Sequence, residues 1–422
     1  MKPLEDIRVL SVTVFLAGPF LSMTLARFGA EVVKVEMPGA GDPIRSAGPF
    51  HGPKGVHAER QTEDDLSVRV LKRSEGVKSV TLNLKDPEGR RMFLDMAKQS
   101  DVVIENLSPG SMKRMGLGYE DVAAVNPGIV YCSISGYGQT GPYKDLPAHD
   151  HQIQAMSGIM DMNGAADGPP TRIGVFVGDL VTPLYAAYSI LGALRHREKT
   201  GEGQYLDASM IDTLATLMFM EPMEYVLKDG QPVRAGNDSR NDVTGLYRLV
   251  DGDVIITVGL SLRLKALLGA LGASELLDGG RFATPEAREA NIAALRAEIQ
   301  ARLGKYSCEE GIALLQGAGI PVARVRTISE AARSSRCTGR VPTNRWRAAS
   351  SRGSRSNSPA AICRSSTVAR SSATTTARSS GGSSASTQTP WPSLRSAGWY
   401  RVEPPRGGSR DIEDYLCSIE NI

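Results

Sequence analysis

The composition breaks near Ser334, and the break decides which part of the chain can fold. From Ala331 to Arg401 there is no Asp, Glu or Lys, and Arg stands mainly among Ser, Ala, Thr, Gly and Pro. The residues before it carry ordinary apolar periodicity, so a packed core has to come from them. The break also explains the totals. The formal charge is +3, yet residues 1–330 hold 35 Lys and Arg against 41 Asp and Glu. The basic excess belongs to the tail, which leaves nucleic acid without support as a partner. Cys132 and Cys308, the cysteines ahead of the break, show no pairing pattern and suit a reducing compartment. No run reaches the roughly 18 apolar residues of a membrane span, and Met1–Asp6 lacks a signal layout. The expectation is a cytoplasmic chain with no membrane partner.

Arg8–Val12 reads as a buried strand and Phe20–Phe28 as a helix stopped by Gly29, with a second strand at Glu31–Glu36. The alternation recurs with strands at 79–84, 101–106 and 129–136 and a helix opened by Pro87. Strands alternating with helices of this length imply an α/β fold whose mostly parallel sheet is covered on both faces. A long apolar helix follows at 182–198. Beyond it a hairpin turns at Asp251-Gly252, with helices near 262–271, 285–303 and 308–317, the texture of a smaller α+β unit. Residues 44–76 have no clear period and read as loop.

Glu36 at the end of the second strand invites a dinucleotide reading, but the first turn, VTVFLAGPF, lacks the glycines that let backbone close on a pyrophosphate. Asp179 follows Gly178 after the apolar run IGVFV and opens the long helix. It is either an N-cap or a buried carboxylate nucleophile, and local sequence leaves both open. His149-Asp150-His151 is a dense cluster without a third ligand at metal spacing, so no metal is expected. GYGQTGPY at 136–143 brings backbone close to a ligand or simply turns. The cations of 85–91 and 111–116 serve phosphates or solvent equally well. Asp207 and Asp212 read as solvated.

Taken in order, IRVLSVTVFLAGPF, FGAEVVKVEMPGAGDPIR, KSVTLNLKDPEGR, SDVVIENLSPGSMKRMGLGYEDV, NPGIVYCSISGYGQTGPY, HDHQIQAMSGIMDMNGAADGPPTRIGVFVGDL and REKTGEGQYLDASMID, closing with GIPVARVRTISEA, resemble the class III CoA-transferase family. That family includes formyl-CoA and carnitine CoA-transferases and the α-methylacyl-CoA racemases. The resemblance covers residues 4–330. It implies a Rossmann-like large domain at 1–225, a small α+β domain at 226–325, and an interlocked homodimer. It makes Asp179 the catalytic residue, which takes an acyl group from a CoA thioester so that CoA passes to a small carboxylic acid. No permanently bound cofactor is implied, coenzyme A entering as substrate. Family contacts to CoA fall on Phe15, Leu16, Leu82, Asn83, Leu84, Lys85, Asn106, Leu107, Ser108, Arg114, Pro147, Ala148, His149 and Asp150. Leu16, Met37 and Pro183 stand where relatives often carry a glutamine or histidine, an arginine and a glycine. The 236–262 region lacks the glycine-rich lid of the formyl-CoA transferases. A racemase is the alternative, with His149-Asp150 and Asp179 moving an α-proton, although the glutamate that racemases add has Leu262 near its place.

For residues 334–422 the favoured expectation is translation in a shifted frame. With G/C-rich codons begun one base earlier, Arg370–Ser380 reads PLLGDHNREIL, and the next stretch reads GGLLGIDADTVAELEERGVV, an amphipathic helix typical of the family's C-terminus. The alternatives are an Arg/Ser-rich disordered arm that binds nucleic acid and a neutral disordered tail; the shifted frame would make the chain an inactive product of a damaged CoA-transferase gene.

Overall fold

The computed structural model describes residues 2–220, 227, 234–239, 241–259, 261–331 and 402–403. Apart from the last pair, the 334–422 tail lies outside the described residues.

Six parallel strands form the main sheet: β1 (Arg8–Val12), β2 (Glu31–Glu36), β3 (Val77–Thr81), β4 (Val102–Glu105), β5 (Val130–Ser135) and β6 (Gln204–Ser209). Their spatial order is β3-β2-β1-β4-β5-β6, with Val402–Glu403 paired antiparallel along the outer edge of β3. The order reverses direction at β1, so the loops after β1 and β4 part there and leave a crevice at the strand ends. The strands are short and apolar because both faces are buried. Val9, Val32, Val102, Ile104 and Cys132 point to one side, and Leu10, Val12, Val33, Val103 and Tyr131 to the other.

The first side is covered by α1 (Ala17–Phe28) and α4 (Val177–Thr200). Ala17, Leu21 and Leu25 meet Ala186, Ala187, Ile190 and Ala193, and the small residues on α4 let the two helices approach closely. Gly29 ends α1 at φ 114°, where a Cβ would also strike the Lys2 side chain at 2.5 Å. The opposite side packs Met92, Phe93 and Met96 of α2 (Pro87–Ala97), whose N-cap Asp86 accepts the Glu88 N–H at 2.9 Å. Between them in sequence, α3 (Asp150–Met156) and, after β6, α5 (Met210–Met220) enclose Ile153, Val177 and Leu214.

A second core lies wholly within Val243–Ile320. It joins the hairpin Gly245–Leu249/Gly252–Ile256, turning at Asp251-Gly252 as expected, to strand Val322–Arg324 and helices Ser261–Ala270, Ile292–Leu303 and Cys308–Gly317.

Three readings need correction. The 44–76 segment is not plain loop: Phe50–Gly52, Gly55–His57 and Leu66–Ser67 form a small antiparallel sheet followed by the helical turn Val68–Leu71. These strands are too short to show a period of two. The helix expected over 285–303 is broken at Asn291, whose Nδ2 donates to the Ala287 carbonyl at 2.8 Å. Finally, α4 is longer than the apolar run suggested, and it alone among the described residues is long and apolar enough to cross a bilayer. Its packing against α1 and the sheet accounts for that apolarity as core.

Leu21 is fully buried between α1 and α4. Leu21→Ala should therefore cost about 2–5 kcal/mol, read as a lower denaturant midpoint with an unchanged slope.

Candidate active site

The turn between β1 and α1 is held from outside itself. Asn106, just past β4, grips Val14 twice, accepting its N–H at 2.8 Å and donating to its carbonyl at 3.0 Å. Phe15 follows at φ 64°, a left-handed conformation unusual for a bulky residue. Its N–H reaches Asp42 Oδ1 at 3.1 Å, and its carbonyl accepts from Arg73 Nη1 at 2.7 Å. Gly18 completes the close approach, since a Cβ there would sit 2.6 Å from Thr13.

Asp42 is placed by Glu36. The Glu36 carboxylate accepts the Asp42 N–H at 2.7 Å, Ser79 Oγ at 2.8 Å and both arms of Arg45 at 2.7 and 2.6 Å. Buried Lys34 pairs with Asp42 from the neighbouring strand position. Burial pushes the Glu36 carboxyl up, but hydrogen bonds from Arg45 and the charges of Lys34 and Arg45 outweigh it and hold the group at about 2. This fills the position that a dinucleotide ribose would need, in agreement with the missing glycines.

Asp179 stands in the first turn of α4. It is not the N-cap: that place belongs to Phe176, and Asp179 is the third helical residue, with its carboxylate directed outward from the cap. Burial, then the charge of Asp150, raises its pKa to about 6, against the pull of Arg73, His149 and a hydrogen bond from the Ala17 N–H. Asp150 is buried beneath it and accepts the Gly178 N–H at 2.7 Å. His149 is exposed at the start of α3, and His151 turns edge-on to Phe176 with ring centroids 5.5 Å apart. Among the described residues no three His, Cys, Asp or Glu side chains form a metal-binding group.

Beside the β1–α1 turn a cleft of about 450 Å³ opens at the carboxyl ends of β1, β2 and β4. Leu82, Leu84, Lys85, Leu107, Ser108 and Arg114, which the family resemblance names as CoA contacts, are among its lining residues, the last donating to Pro109 and Ser111. Phe15 and Leu16 form the adjoining turn. Asn83 is exposed and caps its own turn, accepting the Lys85 N–H at 3.1 Å. Asn106 acts as the tether described above. Pro147 and Ala148 lead into α3 on the Asp179 side and are not among the residues lining this cleft. Asp207 is not simply solvated, because it accepts the Gln139 N–H at 2.8 Å and burial raises its pKa.

Arg73 escaped the sequence reading because it lies in the stretch without a period. Met37, Ser111 and Met115 also line the cleft; only Met37 had been noticed, as a departure.

The fold and the site define a class that comparison makes explicit. The chain belongs to CoA-transferase family III, whose family model matches residues 4–372. It is 36% identical over 331 residues to the mouse succinyl-CoA:glutarate CoA-transferase, covering 78% of this chain and 73% of that protein. It is 38% identical to the succinyl-CoA–D-citramalate CoA-transferase of Chloroflexus aurantiacus, covering 78% and 80%. Among solved structures, a CAIB/BAIF family protein from Brucella suis aligns with TM-score 0.71 and 34% identity, covering 80% of this chain and 88% of that one. The chain is thus an enzyme of the CoA-transferase class.

Removing the Glu36 charge should destabilise the fold by about 2–3 kcal/mol in Glu36→Gln. Because the folded pKa, about 2, lies below the 4.5 of an ordinary glutamate, this contribution is present above 4.5 and lost as pH falls toward 2. Unfolding curves of the variant and the parent should therefore differ most at neutral pH and converge in acid.

Proposed function

We propose that this enzyme moves CoA from an acyl-CoA thioester to a small carboxylic acid through covalent intermediates on Asp179. The observation that carries the reading is the setting of that carboxylate. It is half-buried beside the β1–α1 turn, supported by the Ala17 N–H and faced by the Arg73 guanidinium. A carboxylate with a pKa of about 6 is mostly ionised at neutral pH and more nucleophilic than an ordinary aspartate.

Asp179 attacks the thioester carbonyl, the C–S bond breaks, and CoA thiolate leaves a mixed anhydride. The thiolate then attacks the aspartyl carbonyl, releasing the donor acid as its carboxylate and leaving an aspartyl-CoA thioester. The acceptor carboxylate repeats the sequence in reverse and frees Asp179. Each tetrahedral step places negative charge near the amino end of α1, whose Ala17 N–H and dipole favour it. Lys85 and Arg114 at the cleft suit the CoA phosphates. Arg73, which spends one hydrogen bond on the Phe15 carbonyl, suits the carboxylate of the acid. Relatives act on succinyl-CoA with glutarate or D-citramalate, so small dicarboxylic acids are the first substrates to test.

A racemase reading draws on Asp150 and His149 beside Asp179. Its weakness is that both Asp150 oxygens are already engaged, by Gly178 and by Gln154 Nε2 at 2.6 Å, which leaves little capacity for shuttling a proton. The assembly we favour is a homodimer. Leu184, Tyr188 and Leu191 expose an apolar stripe on α4 that a second copy would cover. The tail is read as a shifted frame. Sequencing the source DNA tests this directly, and comparing the chain with its frame-restored form tests whether the tail leaves it inactive.

Hydroxylamine added during turnover should yield an adduct on Asp179, and Asp179→Asn should lower kcat at least about a thousandfold. Solvent deuterium entering the α-position without an acceptor acid would instead support the racemase. Since the ionised form reacts, kcat/KM should fall about tenfold per pH unit below the Asp179 pKa.

A further inference from the structure

Under the nucleophile lies a buried polar clamp that the chemistry of CoA transfer does not itself require. Gln154, in α3, is fully buried. Its Nε2 donates to Asp150 Oδ2 at 2.6 Å and to the Val175 carbonyl at 3.1 Å, while its Oε1 accepts the Ile173 N–H at 2.9 Å. One amide therefore saturates an oxygen of Asp150 and ties down the extended stretch 173–175 that delivers α4. The other Asp150 oxygen takes the N–H of Gly178, the residue before the nucleophile. Gly178 leaves no slack, since a Cβ there would stand 3.1 Å from Asp150 Oδ1.

We propose that Gln154 is a positioning residue for the reaction: by donating to Asp150 and gripping residues 173 and 175, it sets where the Asp179 carboxylate stands and how strongly Asp150 acts on it. The proposal rests on the reading of Asp179 as the nucleophile. A merely space-filling residue at this point would be apolar, because burying an amide costs free energy unless its donors and acceptor are all used. Here both N–H groups and the carbonyl are used, and all three contacts end on the nucleophile's supports. The groups facing Asp179 are Asp150, Arg73 from the 44–76 segment, His149 and the Ala17 N–H. When the Gln154 donor is removed, the charge of Asp150 loses a partner that offsets it and acts more strongly on Asp179.

The test uses the full chain carrying Gln154→Met, which keeps the volume without the donors, and Gln154→Glu, which donates to Asp150 only when protonated. Two readouts are followed: the pH profile of CoA transfer, and the titration of the Asp179 carboxyl by NMR of 13Cγ-aspartate, which needs no turnover. In Q154M the Asp179 midpoint should rise by about one pH unit. Its kcat should fall about 10–100-fold as the nucleophile is misplaced, with KM for acyl-CoA within about twofold. Q154E should recover activity toward acid pH. A Q154M protein that melts earlier but keeps the parental midpoint and kcat overturns the proposal. If Q154M does not fold, Q154E decides it by the presence or absence of the acid-side recovery. Failure to trap an Asp179 adduct in the parent chain would sink the nucleophile reading separately, while the NMR midpoint would still judge the clamp.

Discussion

A buried carboxylate, Glu36, organises the site. Two neighbouring strands bring Glu36, Lys34 and Ser79 together, and the resulting charge pairs fold residues 37–45 back over the sheet end. That fold places Asp42 where it can take the Phe15 N–H. The strained Phe15 turn then starts α1 with its first N–H directed at Asp179. An isolated positive φ at a phenylalanine is unfavourable, and here it is imposed by three separate segments, through Asp42, Arg73 and Asn106. The cleft wall and the support of Asp179 thus depend on the same buried ion cluster.

Topology supplies the rest. A parallel sheet forces each crossover to return through a helix, so α1 and α4, distant in sequence, lie side by side on one face. Their small-residue contact brings the amino end of α1 beside the first turn of α4. The switch in strand order at β1 opens the crevice into which the loops after β1, β2 and β4 all project. The two features meet at the β1–α1 turn, where Thr13 and Val14 line the cleft and the Ala17 N–H reaches Asp179.

Elements with a strong local signal were legible in the sequence. The buried strands betrayed themselves by apolar runs, α2 by Pro87, and the end of α1 by Gly29. Asp179 stood out through its Gly-Asp pair, and six residues of the cleft through family resemblance. What stayed hidden depends on long-range contacts to backbone groups. Nothing near Asp150 announces that it accepts the Gly178 N–H, and nothing in LKRS announces that Arg73 reaches the Phe15 carbonyl. The position of Asp179 within its helix stayed open in the sequence, because an N-cap and a third helical residue look alike until the cap's hydrogen bonds are seen. Two- and three-residue strands such as Phe50–Gly52 are too short for any periodicity to reveal.

Pro183 has a consequence beyond its departure from the relatives. It lies four residues after Asp179 inside α4 and has no N–H to give the Asp179 carbonyl. The Asp179 peptide is therefore released from the ladder that stiffens the rest of its helix. What secures that turn is Asp150, the first residue of a different helix, through the Gly178 N–H, together with the stretch that precedes it. The placement of the Asp179 carboxylate is in this sense borrowed from α3. A lineage could retune it by altering that neighbour while leaving Asp179 and its helix unchanged.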